Sequence, residues 1–503
     1  MDFLNNFSLG FQVALQPVNL MYCFFGTLIG TLIGVLPGIG PITAISLLLP
    51  LSFKIPSVSG IIMIAGIYYG AMYGGSTTSI LVNIPGESAS VVTTLDGYQM
   101  ARKGRAGPAL GIAAFGSFIG GTISIIGLMM IAYPLAQVAL KFGPPEYFSL
   151  MCLGLIITTY LGSGTMPKAL AMLGLGLILS LIGQDILTGQ ARFTFGIIEL
   201  QDGIDIVPLT VGLFGISEVL VNLEITIKQE VFKTKIKNLF PTLKDWADSI
   251  WSILRGAVIG FFLGILPGGG AVLASFVSYA TEKKMSKHPE KFGTGMIEGV
   301  AGPETANNAG TGGAFVPLFS LGIPCNVVTA LLLASLMVHG LQPGPLLMKQ
   351  NPDIFWGVIS SMYIGNMMLL VLNLPLIGVW VQILKIPYRI FFPLIILFCI
   401  IGAYSVNRSV IDVAIMAFFG IIGYLMRKFK YEMAPLVLAF VLGPMLEKAL
   451  RQSLILSDGS FLIFVSRPIS AIILLFLLII FIVSFIPFFR RREITEVLEK
   501  VDD

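Results

Sequence analysis

The sequence predicts an all-α polytopic membrane protein: about 10–14 transmembrane or re-entrant helices in two inverted-topology repeats, with broken helices or hairpins plus scaffold helices. Two observations carry this prediction. Residues of the set AVILMFWYC make up 55% of the 503-residue chain and charged residues only 12%, with a mean hydropathy of +0.90; a soluble domain carries roughly 25% charge. The chain also uses one stretch twice: residues 26–40 read GTLIGTLIGVLPGIG and residues 256–270 read GAVIGFFLGILPGGG, a constant offset (256 − 26 = 230). In both copies glycines recur every fourth residue, which makes a smooth helix face for close packing. Each copy then runs into Leu-Pro-Gly-x-Gly, where proline removes a helix donor and glycine permits non-helical angles. Freed backbone groups in a bilayer are tolerated only against protein or a watery cavity. A pair of Gly/Pro-interrupted apolar segments, one per half, is the sequence mark of a transporter's binding site.

The rest of the composition narrows the class. A net charge of +4 gives no reason to expect a nucleic-acid partner, and basic residues here report orientation. The opening MDFLNNFSLG lacks the basic region of a cleaved signal peptide. Cys23, Cys152, Cys325 and Cys399 each sit in apolar segments and read as buried free thiols. Tracts such as 471–489 are uninterrupted, unlike the alternating strands of a membrane barrel.

In order, residues 18–36 form an apolar helix that ends at the first break, and 42–53 form a piece too short to span alone. Segment and piece together predict a hairpin that enters and leaves on one side. Residues 59–82 carry YYGAMYGGSTTSILV, rich in glycine and hydroxyls for a lipid-facing helix. Arg102, Lys103 and Arg105 mark the first polar loop. Stretches 109–138 and 147–183 hold three spans. A polar linker at 184–205 has four acids against Arg192, and a further span covers 206–223. Lysines 228, 233, 235, 237 and 244 then mark the join, and Lys283, Lys284, Lys287 and Lys291 follow the second hairpin. Both ends of that hairpin are therefore expected on the cytoplasmic side. The first hairpin exits on Lys54 alone, and the second copy's counterpart of the Arg102–Arg105 loop has one lysine. Opposite basic bias at matching positions predicts inverted topology. Four or five scaffold helices follow residue 354, and Arg490-Arg491-Arg492 places the C-terminus inside. The domains are accordingly a first repeat over 1–224, a basic cytoplasmic linker over 225–248, a second repeat over 249–455, and a terminal helix with a cytoplasmic tail over 456–503.

Two polar runs stand out in these apolar surroundings, 74–87 and 302–313. Hydroxyls, amides and free N–H groups at a helix N-terminus suit a carboxylate, because the positive dipole end faces it. Together with the breaks they nominate Gly38, Gly40, Ser76, Thr77, Thr78, Asn83, Gly86, Gly268, Gly270, Thr305, Asn307, Asn308 and Thr311 as substrate-binding residues. Unwound carbonyls and side-chain oxygens suit Na⁺, which nominates Asn83, Glu87, Glu304 and Asn308 as a cation site. Against this, a hydroxyl in a membrane helix commonly bonds its own i−4 carbonyl, and the glycine faces read as helix packing. Asp96 reads as a turn or cap, while His288 and His339 read as loop residues. No cofactor is expected. No G-x-x-x-x-G-K-[ST] occurs, so transport would be ion-driven or passive.

The stretches GVLPGIGPITAISLLLPL, YYGAMYGGSTTSILVNIPGE, DGYQMARKGRAGPALGIAA and EGVAGPETANNAGTGGAFVPLFSLGIP resemble the large membrane subunit of the tripartite tricarboxylate transporters, over residues 20 to about 450. The resemblance implies the bacterial inner membrane, a small four-helix membrane subunit, and a periplasmic solute-binding protein that delivers a di- or tricarboxylate such as citrate. It implies uptake driven by Na⁺ or protons, and maps the family's motifs onto Gly38, Gly40, 76–79, 83–87 and 304–308. Other classes fit worse. An intramembrane enzyme would show H-E-x-x-H or G-x-S-x-G, and neither occurs. A channel builds its pore from repeated subunits around an axis, whereas this chain carries its own two-fold; a purely structural membrane subunit is the remaining alternative.

Overall fold

A computed structural model describes residues 2–36, 40–161, 165–185, 187–224, 238–384 and 390–482. Helices dominate, and the strands among these residues are the two-residue pair β1 (Gly183–Gln184) and β2 (Ala191–Arg192). Seven described helices are long and apolar enough to cross a membrane. Large apolar side chains such as Phe262, Phe398, Phe418 and Ile421 stand exposed on the outer helices, as expected where lipid is the solvent.

The first half opens with α1 (Asp2–Ala14) and α2 (Pro17–Val35), which ends at the first break. After it come α3 (Pro41–Ser52), α4 (Ser57–Val82), α5 (Thr93–Arg102) and the long α6 (Ala106–Ala139). Helices α7 (Pro144–Leu161) and α8 (Met166–Ser180) follow in the stretch where three spans are expected; of the three helices there, α6 is long and apolar enough to cross a membrane, and α8 is a shorter apolar helix. Beyond the β pair, α9 (Ile206–Thr210) and α10 (Ser217–Glu224) join through a π-helical turn over Val211–Ile216.

The second half repeats the plan. Helix α11 (Leu243–Ile265) ends at the second break, and α12 (Gly270–Met285), α13 (Glu298–Gly313), α14 (Phe315–Leu321) and α15 (Val327–Val338) follow. The remainder comprises α16 (Pro345–Gln350), α17 (Pro352–Asn373), α18 (Ile377–Ile383), α19 (Phe391–Asn407), α20 (Val410–Lys428), α21 (Ala434–Leu456) and α22 (Ile463–Ser466). A last helix, α23 (Pro468–Ile482), closes the described chain.

The glycine faces do what their spacing predicts. Gly26, Gly30 and Gly34 of α2 lie on the backbone of Met63, Ile67 and Ala71 of α4. Gly256, Gly260 and Gly264 of α11 lie on Gly302, Ala306 and Gly310 of α13. A Cβ at Gly30 would stand 2.9 Å from the Ile67 Cα, well inside the ~3.5–4.0 Å contact distance of carbon atoms. The partner positions are themselves in register (302 − 63 = 239, 306 − 67 = 239, 310 − 71 = 239). The same offset relates two left-handed helix ends, Asn83 and Gly322, and two capping boxes, at Glu87 and Asn326. The offset grows from 230 to 239 because the second half carries nine more residues between its broken helix and α13.

The long helices are exchanged between halves. Helix α6 of the first half packs along α13 and α11 of the second, while α17 of the second packs along α4, α2 and α1 of the first. Gly116 and Gly120 of α6 make this approach possible, since a Cβ at either would run into Thr305. Helix α4, too rich in glycine and hydroxyls for a lipid-facing helix, is buried along almost its whole length. Its tyrosines and hydroxyls therefore face protein.

Asp96 does more than cap a turn. It sits in the first turn of α5 and accepts hydrogen bonds from the backbone N–H groups of Gly293 (2.9 Å), Gly295 (2.7 Å) and Met296 (2.8 Å), and from the Tyr279 hydroxyl (2.9 Å). One carboxylate thus fixes the loop that leads into α13. Near the β pair, Asp185, Arg192, Glu447 and Arg451 form an ion-pair network that ties this linker to α21. The cysteines are free, as expected, with Cys152 half-buried and the other three buried.

Candidate functional site

The two polar runs converge on Glu304. Pro303 interrupts the first half of α13 and leaves the carbonyl four residues earlier without its helix donor. The next residue, Glu304, is fully buried. Ser76 from α4 and Thr93 from α5 both donate hydroxyl hydrogen bonds to its carboxylate, and Asn307 donates from its amide at 3.1 Å. One acid of the second half is therefore held by two hydroxyls of the first. Among the described residues no lysine, arginine or histidine pairs with it. A buried carboxylate without a cation is expensive unless hydrogen bonds or a bound ion compensate it.

Next along α13, Asn308 donates its amide to the Ser117 hydroxyl (2.8 Å), the Glu304 carbonyl (3.1 Å) and the Asn307 side-chain oxygen (2.5 Å). Its own Oδ1 has no partner among the described residues.

The two capping boxes flank this centre. Glu87 accepts from the Ala89 N–H at the start of the 3₁₀ turn Ser88–Ser90, and its Oε1 is buried without a partner. Gly75 makes room for it, since a Cβ there would stand 2.9 Å from the Glu87 Cγ. Asn326 accepts from the Thr329 N–H (2.9 Å) at the start of α15 and donates to the Tyr68 hydroxyl (2.9 Å). Helix α12 lies against the Ser88–Ser90 turn and α3 against α15. Each half's broken helix thus meets the other half's capping loop.

The nominated residues divide by what their neighbours demand. Ser76, Asn307, Asn308 and Glu304 come together, with Glu87 and Gly86 on the adjacent loop; Gly86 lies under the Gly34 carbonyl and the Gly75 backbone. Gly40 starts α3 with nothing within 4 Å of a would-be Cβ, and Gly270 sits near the Asn326 amide (3.9 Å). Thr77 is buried in α4. Thr311 bonds the Asn307 carbonyl (3.0 Å) on its own helix. Others are occupied elsewhere. Thr78 donates to the Val35 carbonyl (2.7 Å) and seals α4 to the end of α2. Thr305 bonds the Ala301 carbonyl one turn back (2.7 Å), and its side chain packs on α6. Gly268, at φ 78°, presses on Thr158 of α7 while its N–H donates to the Cys325 carbonyl (2.8 Å). Asn83 is the exposed left-handed end of α4, apart from the other three oxygens nominated for a cation. Gly38 lies outside the described residues.

Several residues of the site were not nominated. Thr93 stands six residues beyond the polar run, and Asn326 belongs to an Asn-x-x-Thr capping box that was legible as a helix start. Tyr68, Ser117 and Asn366 are isolated polar residues in apolar helices; Asn366 accepts from the Tyr73 hydroxyl (2.5 Å). A polar side chain inside an intramembrane helix is the only signal that could have found them.

Long apolar helices around an interior of buried polar side chains make this a polytopic membrane protein with a polar centre. The profile of the tripartite tricarboxylate transporter TctA family matches residues 20–438, and the chain belongs to that family. It is similar to the uncharacterized 52.8 kDa protein in the TAR-I ttuC' 3'region of Agrobacterium vitis, at 51% identity over 493 residues and 98% of each chain. It also resembles an uncharacterized protein in the TAR-II ttuC' 3'region of the same organism, at 50% identity over 234 residues, 46% of this chain and 97% of that protein. No solved structure matches it. The chain is thus the membrane subunit of a tripartite transporter, a family whose members work with other subunits and a binding protein.

Proposed function

We propose that this subunit carries out secondary uptake of a di- or tricarboxylate such as citrate, driven by an inward Na⁺ gradient, through alternating access of two inverted-topology halves. The observation that supports this reading most directly is the holding of Glu304 of the second half by Ser76 and Thr93 of the first. A centre shared in this way changes whenever one half moves against the other. The substrate's carboxylates meet the N-terminus of α15, where the dipole and free N–H groups favour negative charge, and Asn307 and Asn308 shape the centre beside it. The cation binds first and lowers the cost of admitting an anion to a low-dielectric interior.

The halves correspond to residues 1–224 and 249–455, joined by the basic linker 225–248, with 456–503 as terminal helix and cytoplasmic tail. The protein resides in the bacterial inner membrane beside a small four-helix subunit, takes substrate from a periplasmic binding protein, and catalyses no covalent chemistry.

The test is uptake of labelled citrate into proteoliposomes holding the full assembly, under an imposed Na⁺ gradient and separately under a proton gradient. Saturable, Na⁺-driven uptake that requires the binding protein supports the reading. An Asn307→Ala/Asn308→Ala variant that inserts normally is expected to abolish it. Normal uptake by that variant would remove these amides from the site, and failure of the wild type across a panel of carboxylates would remove the transport reading.

A further inference from the structure

Beside the Glu304 centre lies a cavity of about 20 Å³ between α4, α6, α13 and α17, lined by Tyr69, Gly121, Ser124, Ile125, Asn308, Thr311, Gly312, Met362 and Asn366. That volume admits one sphere the size of a water molecule. Its polar lining is one-sided. The Ser124 hydroxyl gives its hydrogen to the Gly121 carbonyl (2.7 Å) and the Thr311 hydroxyl to the Asn307 carbonyl (3.0 Å). The Asn366 amide gives its hydrogens to the Phe118 carbonyl (2.9 Å) and the Thr122 hydroxyl (3.1 Å). With those hydrogens committed, the three side chains have oxygen lone pairs left to offer. Asn308 Oδ1, on a side chain more than nine-tenths buried, has no partner among the described residues, and the Tyr69 hydroxyl, equally buried, has the Cys23 thiol as its polar neighbour. Most of the lining is apolar, and its polar atoms are oxygens among which the Tyr69 hydroxyl alone keeps a spare hydrogen, a set that disfavours an anion and suits a hard cation.

Charge reaches this pocket through two amides. Asn307 donates to the Glu304 carboxylate, its own oxygen accepts from Asn308, and the Asn308 oxygen is the free end. An ionised Glu304 polarises both amides in one direction, because hydrogen bonds in a chain strengthen one another in a low dielectric. The terminal oxygen becomes a better cation ligand although no carboxylate lines the cavity.

We propose that this cavity binds the coupling cation as a dehydrated alkali ion, with Asn308 Oδ1 as its principal ligand, the oxygens of Ser124, Thr311 and Asn366 around it, and Glu304 supplying negative charge through the Asn307–Asn308 relay. The proposal rests on the transport reading for the word coupling, but not for binding. Of the residues nominated from sequence for a cation, it keeps Asn308 as ligand, makes Glu304 a positioning charge, and leaves Asn83 and Glu87 outside; it also moves Asn308 and Thr311 from the substrate-binding set to the cation site.

The experiment is a melting-temperature titration of the purified full-length chain with NaCl and KCl against choline chloride at constant ionic strength, alongside the half-saturating Na⁺ for uptake. In the wild type an alkali chloride raises the melting temperature saturably and choline chloride does not. Ser124→Ala/Thr311→Val raises the half-saturating cation concentration at least tenfold in both assays, while the half-saturating substrate at saturating cation changes less than twofold. Ser124→Ala alone raises it at least threefold, which covers a double variant that fails to insert. Glu304→Gln weakens the cation response in the same direction. An unchanged response in the Ser124 and Thr311 variants, or none in the wild type, overturns the site. Proton-driven uptake without an alkali response defeats the cation site and spares transport; absent wild-type uptake defeats transport, while the melting titration still decides the site.

Discussion

Replacing Glu304 separates its structural from its functional contribution. Three donors converge on this carboxylate, from Ser76, Thr93 and Asn307, all on buried residues. Glu304→Ala would leave Ser76 with only its long bond to the Met72 carbonyl (3.4 Å). The Thr93 and Asn307 donors would be left without that acceptor, at about 1–3 kcal/mol each, or roughly 2–6 kcal/mol before any cavity term. That is comparable with the ~5–15 kcal/mol that holds a typical domain together, so the variant is expected to be lost from the membrane. Glu304→Gln differs in kind. Its amide oxygen can take the position of Oε2, where it accepts from Ser76 and Asn307, and its NH₂ can face a Thr93 hydroxyl that rotates to accept. Exchanging charge-assisted for neutral hydrogen bonds forfeits about 1 kcal/mol each, partly offset because no charge need be desolvated. The Gln variant should therefore insert and melt within a few degrees of wild type, yet lose at least 90% of uptake. Detergent-extracted yield and melting temperature report the first effect and proteoliposome uptake the second. A Glu304→Ala protein with wild-type yield and melting temperature would refute the burial argument. A Glu304→Gln protein with normal uptake would refute a role for the charge.

Two further outcomes follow from packing and charge. In Gly260→Ala the new methyl stands 2.8 Å from the Ala306 Cα, so α11 and α13 must part; overpacking of about 1–3 kcal/mol outweighs the ~1 kcal/mol gain in helix propensity, lowering the melting temperature. Gly174→Ala on α8, with nothing within 4 Å, is the control and should be neutral or stabilising; equal effects at both sites would refute the seam argument. At the β pair, the N–H groups of Thr188 and Leu187, with Arg451 and Arg192, hold the Asp185 carboxyl well below the usual carboxylate range. A depressed folded pKa contributes stability above the ordinary aspartate pKa of ~3.9 and loses it as pH falls below that value. Asp185→Asn should thus lower the wild-type melting temperature at pH 7 and narrow the gap between the two proteins by pH 3, and a constant gap would refute the assignment.

The legible part of this chain was the part set by local chemistry. Leu-Pro-Gly-x-Gly breaks a helix wherever it occurs, and glycine every fourth residue makes a seam whichever helix fills it, so the broken helices, the repeat and the polar run around Glu304 could be read directly. What was not legible depends on neighbours distant in sequence. Thr305 and Thr311 look alike in the run, yet Thr305 packs on α6 while Thr311 lines a cavity. Thr78 is claimed by a carbonyl at Val35, 43 positions back. Helix α17 read as scaffold because the partner of Asn366, the Tyr73 hydroxyl, lies 293 residues away. Nothing local sets the burial of Glu87 and Glu304, which follows from the packing of α4, α12 and α13 around them.

The exchange of long helices between halves also bears on how the protein is made. Helix α6 ends at Ala139 and the helix it must pack along begins at Glu298, 159 positions later (298 − 139 = 159). At ~5–20 residues per second of synthesis, α6 waits roughly 10–30 s with its small-residue face turned to lipid or to another protein. Helix α13 is the more demanding arrival, since a segment carrying Glu304, Asn307 and Asn308 is a poor membrane helix alone and gains its hydrogen bonds only on meeting Ser76, Thr93 and Ser117. The first half of the chain thus acts as a template on which the polar helix of the second is laid down, and insertion of the second half depends on the first being in place.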